Sequence, residues 1–106
     1  MSKYILALDQ GTTTSRAIIY NAKAEPLYSK NEEYPLYCPK PGWIEQDAEE
    51  LLKSQLHVAN QVVEWAKDNL NITPNDDIAA IGITNQRETV VLWDKKTGKP
   101  VYHAIN

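Results

Sequence analysis

Asp9, Gly11, three successive threonines at 12, 13 and 14, and Arg16 crowd into the string ALDQGTTTSR. Backbone N–H groups in a concave turn and threonine hydroxyls match phosphate oxygens, a nearby cation balances their charge, and a carboxylate at a strand end orients a magnesium ion through its waters. In that reading Asp9 serves the metal, Thr12, Thr13 and Thr14 meet phosphates, Arg16 balances charge, and Gly11 lets the backbone come close. The same residues also describe a plain hairpin, in which Gly11 supplies a positive φ and the threonines favour β structure. Asp-x-Gly-Thr occurs in many turns, and these residues alone favour the turn.

A second string, NQRE at residues 85–88, pairs a cation with an anion. Arg87 offers a planar fork of donors and Glu88 two acceptors, a combination that holds adjacent hydroxyls of a polyol in one orientation. Neighbours in a regular strand point to opposite faces, so the role requires a bend at this place. The alternative is an exposed ion pair on a hairpin, which contributes little to stability. Spacing alone favours the ion pair.

Elsewhere the chemistry is sparse. His57 and His103 stand alone without ligand spacing, which excludes a zinc centre or a histidine-based catalytic group. Cys38 is the single cysteine, so no intramolecular disulfide forms. That fits a reducing compartment and reads as a spare thiol. The net charge of -3 and pI near 5.3 argue against a nucleic-acid partner, which calls for clustered Lys and Arg. Residues 1–8 hold an apolar run too short for a signal segment or a membrane span. The expectation is a soluble cytoplasmic protein. At 106 residues it is one small domain at most, marginal on its own if it is cut from something larger.

The elements that must carry these residues follow from period and punctuation. Residues 4–8 (YILAL) and 16–20 (RAIIY) predict a hairpin of buried strands, and residues 27–34 a third, more exposed strand after a turn at 21–25. CPKPGW, residues 38–43, is loop. Asp47 is the predicted N-cap of a long helix, with Glu50 returning the bond as in a capping box. Leu52, Leu56, Ala59, Val63, Ala66 and Leu70 form its apolar stripe. Pro74 breaks the helix, residues 78–84 (IAAIGIT) form a buried strand parallel to the first, and residues 89–94 (TVVLWD) another strand. Residues 95–100 are a turn, and 101–106 a strand cut short. An antiparallel meander, a crossover helix and further strands make the mixed α/β sheet of a ribonuclease H-like, or actin-like ATPase, domain. In that plan DQGTTTS and NQRE gather at one edge.

The strings ALDQGTTTSRAI, KPGWIEQD, AAIGITNQRET and TGKPVY together resemble the N-terminal part of the glycerol kinases, a branch of the carbohydrate kinase family that phosphorylates polyols and sugars. TNQRET is the specific part of the match. The resemblance implies ATP and Mg2+, with Asp9 the magnesium-associated carboxylate, Thr12, Thr13 and Thr14 the ATP-phosphate contacts and Arg16 a nucleotide-binding arginine. It also implies that Thr12 lies near the product phosphate, and that Arg87 and Glu88 hydrogen-bond glycerol. Trp43 is a signature residue of the family and reads as packing. Ala48 stands where many relatives have proline, a change that costs a helix little, and His103 where asparagine is frequent.

The same resemblance implies a truncated domain. Residues 1–106 match the N-terminal part of the first actin-like domain, with the second domain absent from the chain. The general base and the tryptophan that packs on glycerol lie beyond these residues, so no catalytic residue is contained here. The expected partners are glycerol and ATP or ADP, with no nucleic acid and no membrane insertion. Uncovered apolar surface is expected to drive self-association of the fragment, and the parent is expected to be a homo-oligomer. A non-catalytic actin-like binding domain is the second reading. A ribonuclease H-like nuclease is a distant third, because it needs several carboxylates converging on metal and only Asp9 is well placed.

Overall fold

A computed structural model describes residues 3–87 and 89–105. Strands β1 (Tyr4–Gln10) and β2 (Thr14–Tyr20) form the antiparallel hairpin, and β3 (Pro26–Glu33) adds to the far side of β2. A two-residue strand, β4 (Glu45–Gln46), leads into α1 (Ala48–Leu70), then the single turn α2 (Pro74–Asp77), β5 (Ile78–Thr84) and finally β6 (Ala104–Ile105). The main sheet runs β3-β2-β1-β5, with β5 parallel to β1, while β4 and β6 pair antiparallel in a separate ribbon. Among the described residues no helix is long and apolar enough to cross a membrane.

Register explains where the core lies. Leu6 pairs with Ile19, Leu8 with Ala17 and Gln10 with Ser15, so alternate positions of both strands share the face that α1 covers. Against them α1 buries Leu51, Ser54, Val58, Ala59, Val62 and Ala66. Helix and β3 are joined by Trp65 stacked on Tyr28, ring centroids 4.5 Å apart, and by His57 Nδ1 with Glu32 Oε1 at 2.9 Å. The turn before β3 is tied by Asn21 Oδ1, which accepts from the Lys23 and Glu25 amides.

Five expectations are corrected. The stripe on α1 is rotated: Leu52 and Leu56 are 59% and 51% exposed, and Ser54 faces inward instead. The helix turns its 51-54-58-62-66 line to the sheet, because the small Ser54 meets Ser15 there at 2.5 Å. At the N-terminus Asp47 accepts from the Glu49 amide at 2.9 Å as a cap should, but Glu50 does not close a box and takes the Tyr37 hydroxyl at 2.5 Å. The helix stops at Asn71, in the left-handed region at φ 52, and Pro74 opens α2 instead of ending α1.

The strand β5 is exposed rather than buried. Ile81 and Ile83 are 57% and 75% exposed, since α1 lies over β2 and β3 and leaves this edge strand uncovered. Residues 89–94 make no sheet strand. Val90 bridges Ile105 and Trp93 bridges Pro100 singly. The Asp94 carboxylate accepts from the Lys96 and Thr97 amides at 2.7 and 3.1 Å and turns the chain directly after this segment. The turn at 95–100 is as expected. The final strand pairs with β4 and not with the main sheet.

Candidate active site

Parallel neighbours deliver their C-terminal ends to one edge. Asp9 and Thr84 are partners in the β1–β5 ladder, so the chain leaves both strands side by side. The two loops that follow enclose a cavity of about 450 Å³ lined by Asp9, Gln10, Gly11, Thr12, Asn85, Gln86 and Arg87. Arg16 lies opposite Asp9 in the β1–β2 register, on the same face of the sheet. Thr12 and Thr13 are exposed, Thr14 is half-buried where β2 begins, and Arg87 is exposed in a turn. Glu88 lies outside the described residues. The structure thus brings Asp9, Thr12 and Arg87 around one cavity, with Thr13, Thr14 and Arg16 beside it.

Gly11 does not take the positive φ expected of a plain turn; among the described glycines only Gly42 and Gly98 do. Its need is space. A Cβ there would lie 3.2 Å from the Thr14 carbonyl, the group that accepts from the Gly11 amide at 2.9 Å. Beneath this tight loop is a floor of buried polar side chains. The Tyr34 hydroxyl donates to the Gly11 carbonyl, and Gln46 Nε2 donates to the Thr12 carbonyl at 2.8 Å. Gln46 is fully buried, as is Ser15, which donates to Gln10 Oε1 at 3.1 Å. Burial pushes the Tyr34 hydroxyl above the ordinary tyrosine value, against the opposing hydrogen bonds of Gln10 and Gln46, so it stays a donor at neutral pH.

These bonds have an electrostatic consequence. A carbonyl oxygen repels an anion, and both carbonyls at the apex of the loop are engaged by buried donors. What the loop apex offers a ligand is then the exposed side chains of Thr12 and Thr13, whose hydroxyls can donate to an oxyanion. A larger cavity of about 820 Å³, lined in part by Tyr37, Glu45, Tyr102 and His103, includes neither loop. There the buried Glu45 carboxylate accepts from the Tyr102 hydroxyl at 3.0 Å and lies 3.1 Å from His103 Nδ1. His103 therefore has a carboxylate partner, as His57 has in Glu32.

The family model described as the FGGY family of carbohydrate kinases, N-terminal domain, matches residues 4–106. The chain belongs to this family.

Glycerol kinases are among the FGGY proteins it resembles. That of Caldanaerobacter subterraneus subsp. tengcongensis is 56% identical over 105 residues, covering 99% of this chain and 20% of the relative. That of Pseudothermotoga lettingae is 55% identical over 97% of this chain and 20% of the relative. The crystal structure of Plasmodium falciparum glycerol kinase with ADP superposes with a TM-score of 0.82 at 35% identity, over 97% of this chain and 20% of that one. Xylulose kinase from Rhodospirillum rubrum superposes at 0.85 with 23% identity, over 98% of this chain and 20% of that one, a likeness of fold. The chain spans 20% of the length of the curated relatives it matches.

In this FGGY chain sequence reasoning found both loops and missed their supports. Tyr34 lies in no motif, and within KPGWIEQD and NQRE neither Gln46 nor Gln86 was given a role. The available signal was a glutamine set between a buried carboxylate and a helix cap, in WIEQD. Trp43, read as packing, is 49% exposed, with the Lys40 ammonium 4.8 Å from its ring centroid.

Proposed function

We propose that this chain is the N-terminal part of the first actin-like domain of an ATP-dependent glycerol kinase, contributing the phosphate loop and part of the glycerol site. The observation that carries the reading is the shared cavity, with a hydroxyl-rich loop whose carbonyls are engaged beneath it on one side and Arg87 on the other. Thr12, Thr13 and Thr14 donate to the phosphates of ATP, Arg16 offsets their charge, and Thr12 is near the phosphate of the product. Arg87 and Glu88 orient two hydroxyls of glycerol so that the terminal one meets the γ-phosphoryl group. Magnesium usually keeps several waters and takes one or two carboxylates plus substrate phosphates. Asp9, the one carboxylate among the described lining residues, fits that donor set. Magnesium bound there would neutralise charge developing on the transferred group.

Phosphoryl transfer depends on positioning both substrates in a site closed to water. The general base, the adenine-binding lobe and an aromatic wall for glycerol are expected outside residues 1–106, in a second domain and the rest of the first. The complete protein is proposed to act in the cytoplasm, as a homo-oligomer. The test is glycerol 3-phosphate formation from glycerol and MgATP by the complete gene product beside residues 1–106 alone. Turnover by the former and none by the latter is expected; no glycerol-dependent ATP consumption by the complete gene product overturns the reading.

A further inference from the structure

Gln46 reaches both loops of the cavity at once. Its backbone is held in β4 by Ala104 of β6, and its neighbour Glu45 exchanges amide and carbonyl bonds with Tyr37 at 2.8 and 2.7 Å. Asp47, the next residue, caps α1. From this seat the fully buried amide donates to the Thr12 carbonyl at 2.8 Å and to the Tyr34 hydroxyl at 3.3 Å, while its Oε1 accepts from Gln86 Nε2 at 2.8 Å.

The polarity of this chain of bonds is determined at one end. A peptide carbonyl only accepts, so Gln46 must present its NH2 group to Thr12 and its oxygen to Gln86. Gln86 must then present its own NH2 group, which fixes the amide of the residue directly before Arg87. A carboxylate at 46 lacks the donor, and an apolar side chain lacks both donor and acceptor. Two direct, part-buried hydrogen bonds thus link the Thr12 peptide to the loop bearing Arg87, with no water between them.

We propose that Gln46 is a positioning residue that couples the phosphate loop to the polyol loop, so that occupancy of either loop favours binding at the other. The proposal rests on the glycerol kinase reading for the identity of the two ligands, but the relay itself does not. Coupling of this kind is reciprocal: ATP strengthens glycerol binding by the same factor as glycerol strengthens ATP binding.

The experiment measures dissociation constants for glycerol and ATP in the complete gene product, each with and without saturating amounts of the other ligand. The wild-type protein is expected to show a coupling factor of about five or more, in the range ordinary for linked sites. In Gln46→Leu the factor falls to about one and both ligands bind about tenfold more weakly, the scale of one lost buried hydrogen bond each. Gln46→Glu keeps the acceptor for Gln86 and sets an oxygen against the Thr12 carbonyl, so ATP binding weakens while glycerol binding stays within about twofold of wild type. A merely structural role lowers the folded fraction and leaves these constants and their coupling unchanged. A wild-type factor of one overturns the proposal, as does wild-type coupling in folded Gln46→Leu protein. Should Gln46→Leu not fold, Gln86→Leu cuts the same relay from the less buried end and is expected to abolish the coupling. Should neither glycerol nor ATP bind, the glycerol kinase reading fails by itself. The relay is then read by amide hydrogen exchange at residues 11–14 in Gln86→Leu, where faster exchange supports it and unchanged exchange overturns it.

Discussion

Asp9 and Arg16 lie directly opposite each other across the β1–β2 hairpin, so an anion and a cation share one face of the sheet beside a cavity lined by Asp9 and Arg87. Cross-strand partners lie close enough for their charges to act on one ligand. Asp9→Asn keeps size and hydrogen-bonding capacity but removes the charge proposed to place magnesium. In the complete gene product phosphoryl transfer is expected to slow by about a hundredfold or more, with glycerol binding and melting temperature little changed. Turnover at saturating MgATP checks this, and an unchanged rate would reduce Asp9 to a turn residue.

Arg87 is exposed on the cavity wall, and nothing in the core depends on it. If it donates charge-assisted bonds to glycerol, Arg87→Ala removes contacts worth about 1.5 to 3 kcal/mol each. The kcat/KM for glycerol is then expected to drop by about one to two powers of ten per lost bond. The KM for ATP should stay near wild type. Glu88→Gln should follow in the same direction with a smaller loss. Kinetics at varied glycerol and saturating ATP separate this outcome from a loss of stability, which would lower Vmax alone.

Asp94 sets a pH-dependent turn. Bonds from the Thr97 and then the Lys96 backbone amides hold its carboxyl below the ordinary aspartate value. A depressed carboxyl contributes stability that is complete above the unfolded value and is lost as the pH falls through the folded one. Amide exchange at Lys96 and Thr97 is therefore expected to lose protection in that acidic window and to be flat at neutral pH. Asp94→Asn, which still accepts, should abolish the pH dependence. Persistent pH dependence in that variant would assign the effect to another group.

The uncovered strand β5 is an association hazard. Its sequence IAAIGIT carries no charge, and Ile81 and Ile83 are mostly exposed. The accessible surface of 7436 Å² for a 12.0 kDa chain exceeds the roughly 6,000 Å² of a compact monomer of that mass. Residues 1–106 in isolation are expected to self-associate, and Ile83→Lys to shift them toward monomer, since an edge lysine blocks strand pairing. Sedimentation velocity of the two proteins checks it; a monodisperse wild-type monomer contradicts it.

Local chemistry was legible in residues whose roles depend on near neighbours. The hairpin around DQGTTTS, the Asp47 cap, the turn at 95–100 and the parallel return of β5 follow from turn propensities, capping and the handedness of crossovers. Both loops and the family were readable from strings a few residues long. The TVVLWD segment misled because its β-rich composition says nothing about whether a partner strand is available, and its flanking Asp94 turn ties it elsewhere.

What the sequence by itself determined is which short stretches bend, cap and carry donors, because those preferences are settled within one turn of chain. Burial is settled by whatever else packs on a residue. Leu52 and Ser54 exchange their expected places because the sheet, not the helix, sets the rotation of α1. Tertiary structure alone placed Gln46 at the meeting of Thr12, Tyr34 and Gln86. These partners are 34, 12 and 40 residues away in the chain, and no local preference acts over that separation. A polar side chain is taken out of water there because folding supplies partners for both its NH2 group and its oxygen.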